Sequence, residues 1–390
     1  MKVCHIWQNF FPLESGGAER YILNLSDFLH KYHNTNFLLI TDKAAYVPLS
    51  RSLRVSSYQR INSLDVYRLG PNFFSALRGG FSRLLNRPSE SLDKLLMMGL
   101  YREATNIHDI SKVDVFHIHG FWQPLYPSIG LLLSQRFHRP TVITLHGDSI
   151  SSDDPFAMPI TSPKTVNILR RADAITTFSK ETFNVLKQLK LGKRSHLIPN
   201  FIDSKVFKCP TSYRSSPGTR IVMISRLSKP KDPMTPIKAF AKVLKEVPEA
   251  TFEIVGYGPL YEYANRLVQR LKLQRAVTFI GAKSDVRKFL WNSDIFIATR
   301  GSYITTLEAW AAGLPVVAPK HGIMEELVSG GKAGLLAPPG DVDLLASELI
   351  SIIRDKRLRA TLVANGITAA EKHDIQTIAP RIESIYKSLL

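Results

Sequence analysis

The stretch Ser225-Arg226-Leu227-Ser228-Lys229-Pro230-Lys231-Asp232 follows an apolar run and sets cations where a strand would end. Fixed cations there suit a diphosphate, whose charge grows if it departs as a leaving group. A solvated basic turn is the plainer alternative, and Lys229 is read that way. Gly256-Tyr257-Gly258-Pro259 is a glycine turn behind a second apolar run, compatible with close approach of a nucleotide. Arg300-Gly301-Ser302 then opens a helix whose unbonded N–H groups near Ile304, Thr305, Thr306 and Leu307 can hold phosphate. Glu308 sits one turn in, where a carboxylate accepts bonds from vicinal hydroxyls such as those of ribose.

The N-terminal half carries a softer set. Ser15-Gly16-Gly17-Ala18 puts two glycines ahead of a helical pattern, so backbone N–H groups can approach an anion; a tight turn is the alternative. The spacing is neither GxGxxG nor a Walker loop, so neither nicotinamide nor P-loop chemistry follows. His117 and His119 share one face of a strand and could bind metal together. The sequence sets no third ligand beside them, and no metal is expected. His146 ends an apolar run before Gly147 and is read as a cleft residue, with a capping or core histidine as the alternative. Asp341-Val342-Asp343 has the form of a divalent-metal motif, yet Asp341 follows Pro339-Gly340 and reads as a helix cap. Cys4 and Cys209 are too few for a disulfide framework or a cysteine zinc site.

These residues need strands to hold them. VCHIW (3–7), FLLIT (37–41), VFHIH (115–119), TVITLH (141–146) and AITTFS (174–179) are apolar runs separated by amphipathic stretches. Between the first two, Ile22, Leu25, Phe28 and Leu29 recur at helical spacing. Residues 51–113 are harder to read, with a strand expected near Val66–Leu69 and a helix inside 77–102. RIVMIS (220–225), TFEIVG (251–256), VTFIG (277–281), DIFIA (294–298), PVVAP (315–319) and GLLA (334–337) form a second series. Strand–helix alternation predicts parallel sheets. The fold class is therefore α/β, two doubly wound Rossmann-like domains facing across a cleft. The expected boundaries are 1–203 and 220–370, joined by a linker over 204–219 and followed by a C-terminal helix over 371–390.

Length and composition agree with that reading. A chain of 390 residues, 44% hydrophobic and 22% charged, has the size and balance of a two-domain globular protein. No apolar run approaches the ~18 residues of a membrane span. The N-terminus lacks the apolar core of a signal peptide, so a cytoplasmic location is expected. Fifty-one Lys and Arg against 33 Asp and Glu give +18, spread over both halves. Such a field attracts an anionic membrane face or simply serves solubility. Nucleic acid is not an expected partner, since no reading module accompanies the charge.

As a set, GGAERY (16–21), TLHGD (144–148), IPNFID (198–203), SRLSKPKD (225–232), VGYGP (255–259) and TLEAWAAGLPVVAPKHGIMEEL (306–327) resemble the retaining nucleotide-sugar glycosyltransferases of family 4, of GT-B fold. The resemblance spans essentially the whole chain and is densest between 220 and 340. It implies that Gly16 and Gly17 lie against the donor phosphate and acceptor, and that His146 helps position the donor sugar. Arg226 and Lys231 would neutralise the leaving diphosphate, and Glu308 would hold the ribose. Backbone from Gly281 to Lys283 would meet the base, with Gly256, Gly258, Arg300 and Gly301 also at the donor. The family needs no metal, and no cofactor is expected. Its last helix packs back on the first domain. The implied partners are a nucleoside diphosphate sugar, a UDP-sugar favoured, and a glycan or glycolipid acceptor. Attack from the front face, with the departing diphosphate taking the acceptor's proton, fits the lack of an enzymatic nucleophile. The basic stretch 73–102 is a candidate for an anionic membrane surface, which would make the protein peripheral on the inner face; an ordinary packed helix is the alternative.

One position departs from the family. A second Glu usually stands eight residues before the ribose Glu, and here that position is Arg300, followed by Gly-Ser-Tyr in place of Gly-Phe-Gly. A guanidinium pairs with a carboxylate, so an anionic donor such as a uronic acid nucleotide is one expectation. Arg300 pointing away is another, and an inactive enzyme a third. The rival functions are a non-catalytic nucleotide-sugar or polyanion-binding protein, which would never turn over, and a sugar-nucleotide epimerase, which needs no acceptor.

Overall fold

The computed structural model describes residues 1–8, 10, 17–42, 56–69, 90–120, 125–146, 159–210, 219–329 and 332–390. Gly16, residues 73–89 of the basic stretch and residues 211–218 of the expected linker lie outside the described residues. The chain divides into two compact units, Met1–Pro199 with Ile378–Leu390, and Asn200–Thr377.

In the first unit the apolar runs become strands β1 (Lys2–Ile6), β2 (Asn36–Asp42), β4 (Leu64–Leu69), β5 (Val115–His119), β6 (Thr141–Leu145), β7 (Ala174–Thr177) and β8 (Ser195–Leu197), with β3 (Tyr58–Ile61) added at one edge. Their order is β3-β4-β2-β1-β5-β6-β7-β8, and every pairing is parallel except β3 on β4. Residues of β5, β6 and β7 are buried throughout, as parallel strands covered on both faces must be. Helix α1 (Gly17–His33) buries Tyr21, Ile22, Leu25 and Leu29 along one stripe. Helix α2 (Glu90–Thr105), the helix expected inside 77–102, seats Leu100 and Ala104 in the core.

The second unit holds β9 (Arg220–Ile224), β10 (Thr251–Val255), β11 (Val277–Gly281), β12 (Ile295–Ile297), β13 (Val316–Pro319) and β14 (Gly334–Ala337). Their order, β11-β10-β9-β12-β13-β14, is parallel throughout. Helices α3 (Met234–Glu246), α4 (Tyr303–Ala311), α5 (Val342–Arg354) and α6 (Lys356–Lys372) belong to this unit. Ile221, Met223, Phe240, Phe252, Ile254 and Ile295 are fully buried between sheet and helices, each contributing roughly 1.5–3 kcal/mol of burial. Trp310 on α4 is also fully buried, its indole donating to the Ala333 carbonyl at 2.8 Å. Asp341 caps α5, accepting from the Leu344 N–H at 2.9 Å, so the DxD tripeptide is spent on a helix start.

Helix α7 (Ile375–Ser388) begins in the second unit and continues into the first. Ile202 and Asp374 bridge, with Ile375 N donating to Ile202 O at 2.8 Å, so the two crossings of the chain are neighbours. Residues 204–207, read from sequence as linker, are instead a helical turn. Asp203 caps it through Lys205 N at 3.2 Å, Asp374 bonds the Ser204 side chain, and the Trp291 indole donates to Phe207 O at 2.7 Å. Composition alone marks a loop here; these long-range polar contacts fold it onto the second unit.

Candidate functional site

In the second unit the chain leaves β9 toward β10 on one side and later returns to β12 on the other. That reversal parts the loops at the carboxyl ends of β9 and β12, the switch point where ligands bind in such sheets. Both cationic motifs sit there. Ser225 Oγ and Thr299 Oγ1 join the two strand ends at 3.0 Å, and Lys231 Nζ donates to the Arg300 carbonyl at 2.5 Å. Gly301 has φ +63°, and a Cβ on it would come 3.3 Å from Lys231 Nζ, so its bareness leaves room for the ammonium. Lys231 is half-buried, while Arg226 stands exposed. Asp232, at φ +43°, accepts from Thr235 N and Oγ1 at 3.3 and 2.6 Å and starts α3.

Ser302 precedes α4 but does not cap it. Its hydroxyl accepts from Thr299 N at 2.9 Å and donates to Thr299 O at 2.8 Å, so it is turned back from the helix. The first N–H groups of α4 thus lack a side-chain cap, beside Lys231 and Gly301. Ile304, Thr306 and Leu307 bury their side chains and Thr305 is half-buried, so what this turn presents is mainly backbone; the Thr306 N–H, expected to be unbonded, is spent on the Ser302 carbonyl at 2.9 Å because the helix ladder has already begun there. Glu308 follows one turn in, 2% exposed. The Arg300 guanidinium lies 3.3 Å from His321 Nε2, on the loop after β13. A cavity of about 50 Å³ lies among Lys231, Thr299, Arg300 and Ala318.

Gly256 and Gly258 have a defined packing role. A Cβ on Gly256, at φ +142°, would meet Ser225 O at 1.9 Å, and one on Gly258 would meet Leu227 O at 2.4 Å. The loops after β9 and β10 therefore lie backbone on backbone, tied by Leu227 N to Tyr257 O at 3.2 Å. These glycines set the position of Arg226. Gly281 accepts from Gly256 N at 2.9 Å and has φ +77°, with open space beside its Cα.

In the first unit Gly17 is the exposed first residue of α1. His146 directly follows β6, half-buried, its ring edge-on to Tyr21 at 5.0 Å and to Trp7 at 6.0 Å. His119 Nδ1 lies 2.9 Å from His146 Nε2, and His119 Nε2 lies 2.8 Å from His5 Nδ1. His117 is bonded at both nitrogens, to Tyr386 OH of α7 at 2.5 Å and to Thr144 Oγ1 at 2.6 Å. Burial disfavours the charged rings, holding His5 and His146 at about 3 and pushing His117 and His119 well below the ordinary range. One sequence reading is corrected here. A third imidazole does stand beside His117 and His119: β1 pairs with β5 so that His5 is opposite His117, and one ring nitrogen of each lies within 4.8 Å of the others. Its signal was strand order, since residues of one parity on adjacent parallel strands share a face.

Two α/β units with mainly parallel sheets, and cationic loops at the switch point of the second, are the architecture of GT-B glycosyltransferases. Residues 15–206 match the family described as "Glycosyltransferase Family 4" and residues 214–369 that described as "Glycosyl transferases group 1", and the chain belongs to this family of glycosyltransferases. It is 28% identical over 265 residues to the N-acetyl-alpha-D-glucosaminyl L-malate synthase of Bacillus anthracis, covering 64% of this chain and 68% of that one. It is 27% identical over 289 residues to the phosphatidyl-myo-inositol mannosyltransferase of Mycolicibacterium smegmatis, covering 71% of each. The solved structure of Anabaena HepE in complex with UDP-glucose superimposes with a TM-score of 0.73 at 22% identity over the full length of both chains, a likeness of fold.

Proposed function

We propose that the protein transfers a glycosyl group from a UDP-sugar to a hydroxyl of a lipid-linked or glycolipid acceptor, with retention and without a metal. The observation that carries this reading is the meeting of Lys231 with the Arg300–Gly301 turn at the uncapped start of α4, one turn before buried Glu308. A cation, a helix start without a side-chain cap and a carboxylate in that order match diphosphate followed by ribose. Arg226 adds a second, exposed cation on the glycine-packed loop. His146 is assigned to the donor sugar. Arg300 is engaged with His321, so recognition of the sugar falls to backbone around Gly301 rather than to the guanidinium. UDP-glucose in HepE and the inositol phospholipid in the name of the mannosyltransferase support the donor and acceptor classes. Among the described residues no helix is long and apolar enough to cross a membrane. The net charge of +18 favours peripheral contact with an anionic leaflet.

The test is UDP release from a panel of UDP-sugars, with and without anionic vesicles carrying glycolipid acceptors. Lipid-dependent release from one donor is expected, cut about 10²–10³-fold in Arg226→Ala and Lys231→Ala. Tight UDP binding with silence across the panel would favour a non-catalytic binding protein. Full activity in both variants would refute the diphosphate assignment.

A further inference from the structure

The buried histidines of the first unit are more than a packed cluster. His5, His119 and His146 form an unbroken row in which each contact joins two ring nitrogens, at 2.8 and 2.9 Å. A neutral imidazole carries one N–H and one lone pair, so a row of neutral rings must run in one direction from end to end. The far end decides which. His5 is fully buried, stacked on Phe37 at 5.1 Å, and among the described residues its Nε2 has no hydrogen-bond partner. If the row ran inward, that orphan atom would be an N–H; if it ran outward, it would be a lone pair. A buried N–H left without an acceptor is the rarer of the two. We infer that the row runs outward: His5 Nδ1–H donates to His119 Nε2, His119 Nδ1–H donates to His146 Nε2, and His146 is fixed as the Nδ1–H tautomer. The nitrogen that His146 has left for a substrate is then a donor, and the group it recognises is an oxygen acceptor such as a sugar hydroxyl or a phosphate oxygen. His5 and His119 act as positioning residues that set this polarity. The low proton affinity of all three rings keeps the row neutral at pH 7.

A cation held by His5, His117 and His119 is the competing arrangement. It would have to take one nitrogen of His119 out of the row and break one of the two bonds of His117.

The assignment of a substrate to His146 rests on the proposed function; the tautomer does not. Long-range ¹H–¹⁵N correlation spectra of the full-length, ¹⁵N-histidine-labelled protein read it directly, with His146→Gln identifying the resonance. The expected result is a proton on His146 Nδ1 in the unsubstituted protein. His119→Leu should shift His146 toward Nε2–H, while His119→Asn, which offers an N–H near the lost Nδ1, should retain Nδ1–H. A His146 ring protonated at Nε2 in the unsubstituted protein would overturn the proposal, as would an unaltered tautomer in His119→Leu. Stoichiometric zinc uptake that is lost in His5→Phe would overturn it too. No turnover enters this readout, so failure of the transferase assay and failure of the polarity argument are separate outcomes.

Discussion

Gly256 and Gly281 face each other across one hydrogen bond and both have positive φ, yet they should respond very differently to a methyl group. At Gly256 a Cβ would lie 1.9 Å from Ser225 O and 2.8 Å from its carbonyl carbon, both backbone atoms that cannot rotate away. A normal C···O contact is about 3.3 Å or more, so the two loops must part by more than about 1 Å. That movement breaks Ser225 N to Val255 O, now 3.0 Å, and Leu227 N to Tyr257 O, now 3.2 Å. Two backbone hydrogen bonds at about 1 kcal/mol each, with about 1–2 kcal/mol for a side chain at φ +142°, give about 3–4 kcal/mol for Gly256→Ala. At Gly281 nothing lies within 4 Å of the added carbon, and only the left-handed backbone at φ +77° resists it, about 1–2 kcal/mol. Urea denaturation read on the second unit, together with UDP binding by calorimetry, measures both consequences. Gly256→Ala should lower the midpoint by two to three times as much as Gly281→Ala and should also weaken UDP, because the displaced loop carries Arg226. Equal destabilisation by the two substitutions would refute the claim that close backbone contact, rather than φ alone, requires glycine at 256.

Two further outcomes follow from the same geometry. His5, His117, His119 and His146 are neutral in both the folded and unfolded chain above the ordinary value of 6.5, and below it only the unfolded chain gains protons until about 3 for His5 and His146. Stability of the first unit should therefore be flat between about pH 7 and 8 and fall as pH drops through 6.5, by about 1.4 kcal/mol per unit for each ring; a denaturation midpoint unchanged between pH 7 and 5 would contradict the burial of these rings. Arg300→Ala should leave transfer from a neutral UDP-hexose within about threefold, since the guanidinium is held by His321; a tenfold loss, about 1.4 kcal/mol, would show it acting on the sugar instead.

What the sequence discloses here depends on whether a residue's partners are near it in the chain. Parallel strands covered on both faces are continuous apolar runs, so β5, β6 and β9 stand out from VFHIH, TVITL and RIVMI without any knowledge of their neighbours. Strand β3 does not, because Tyr58, Gln59 and Arg60 are all exposed at the sheet edge and carry no apolar period. The Asp341 cap is local, three residues from its donor, and reads directly; the Asp374 bond to Ser204 spans 170 residues and leaves no trace in composition. Glycines and histidines divide in the same way. GYGP shows that two side chains are missing at 256 and 258 but not what takes their place, and the occupant is the chain's own loop at 225–227. HxH shows two imidazoles on one face, while His5 reaches His119 from 114 residues away only because β1 lies between β2 and β5. The contacts of the first unit therefore follow from strand order: the same histidines on strands placed apart would be three separate rings, with no row joining His5 through His119 to His146.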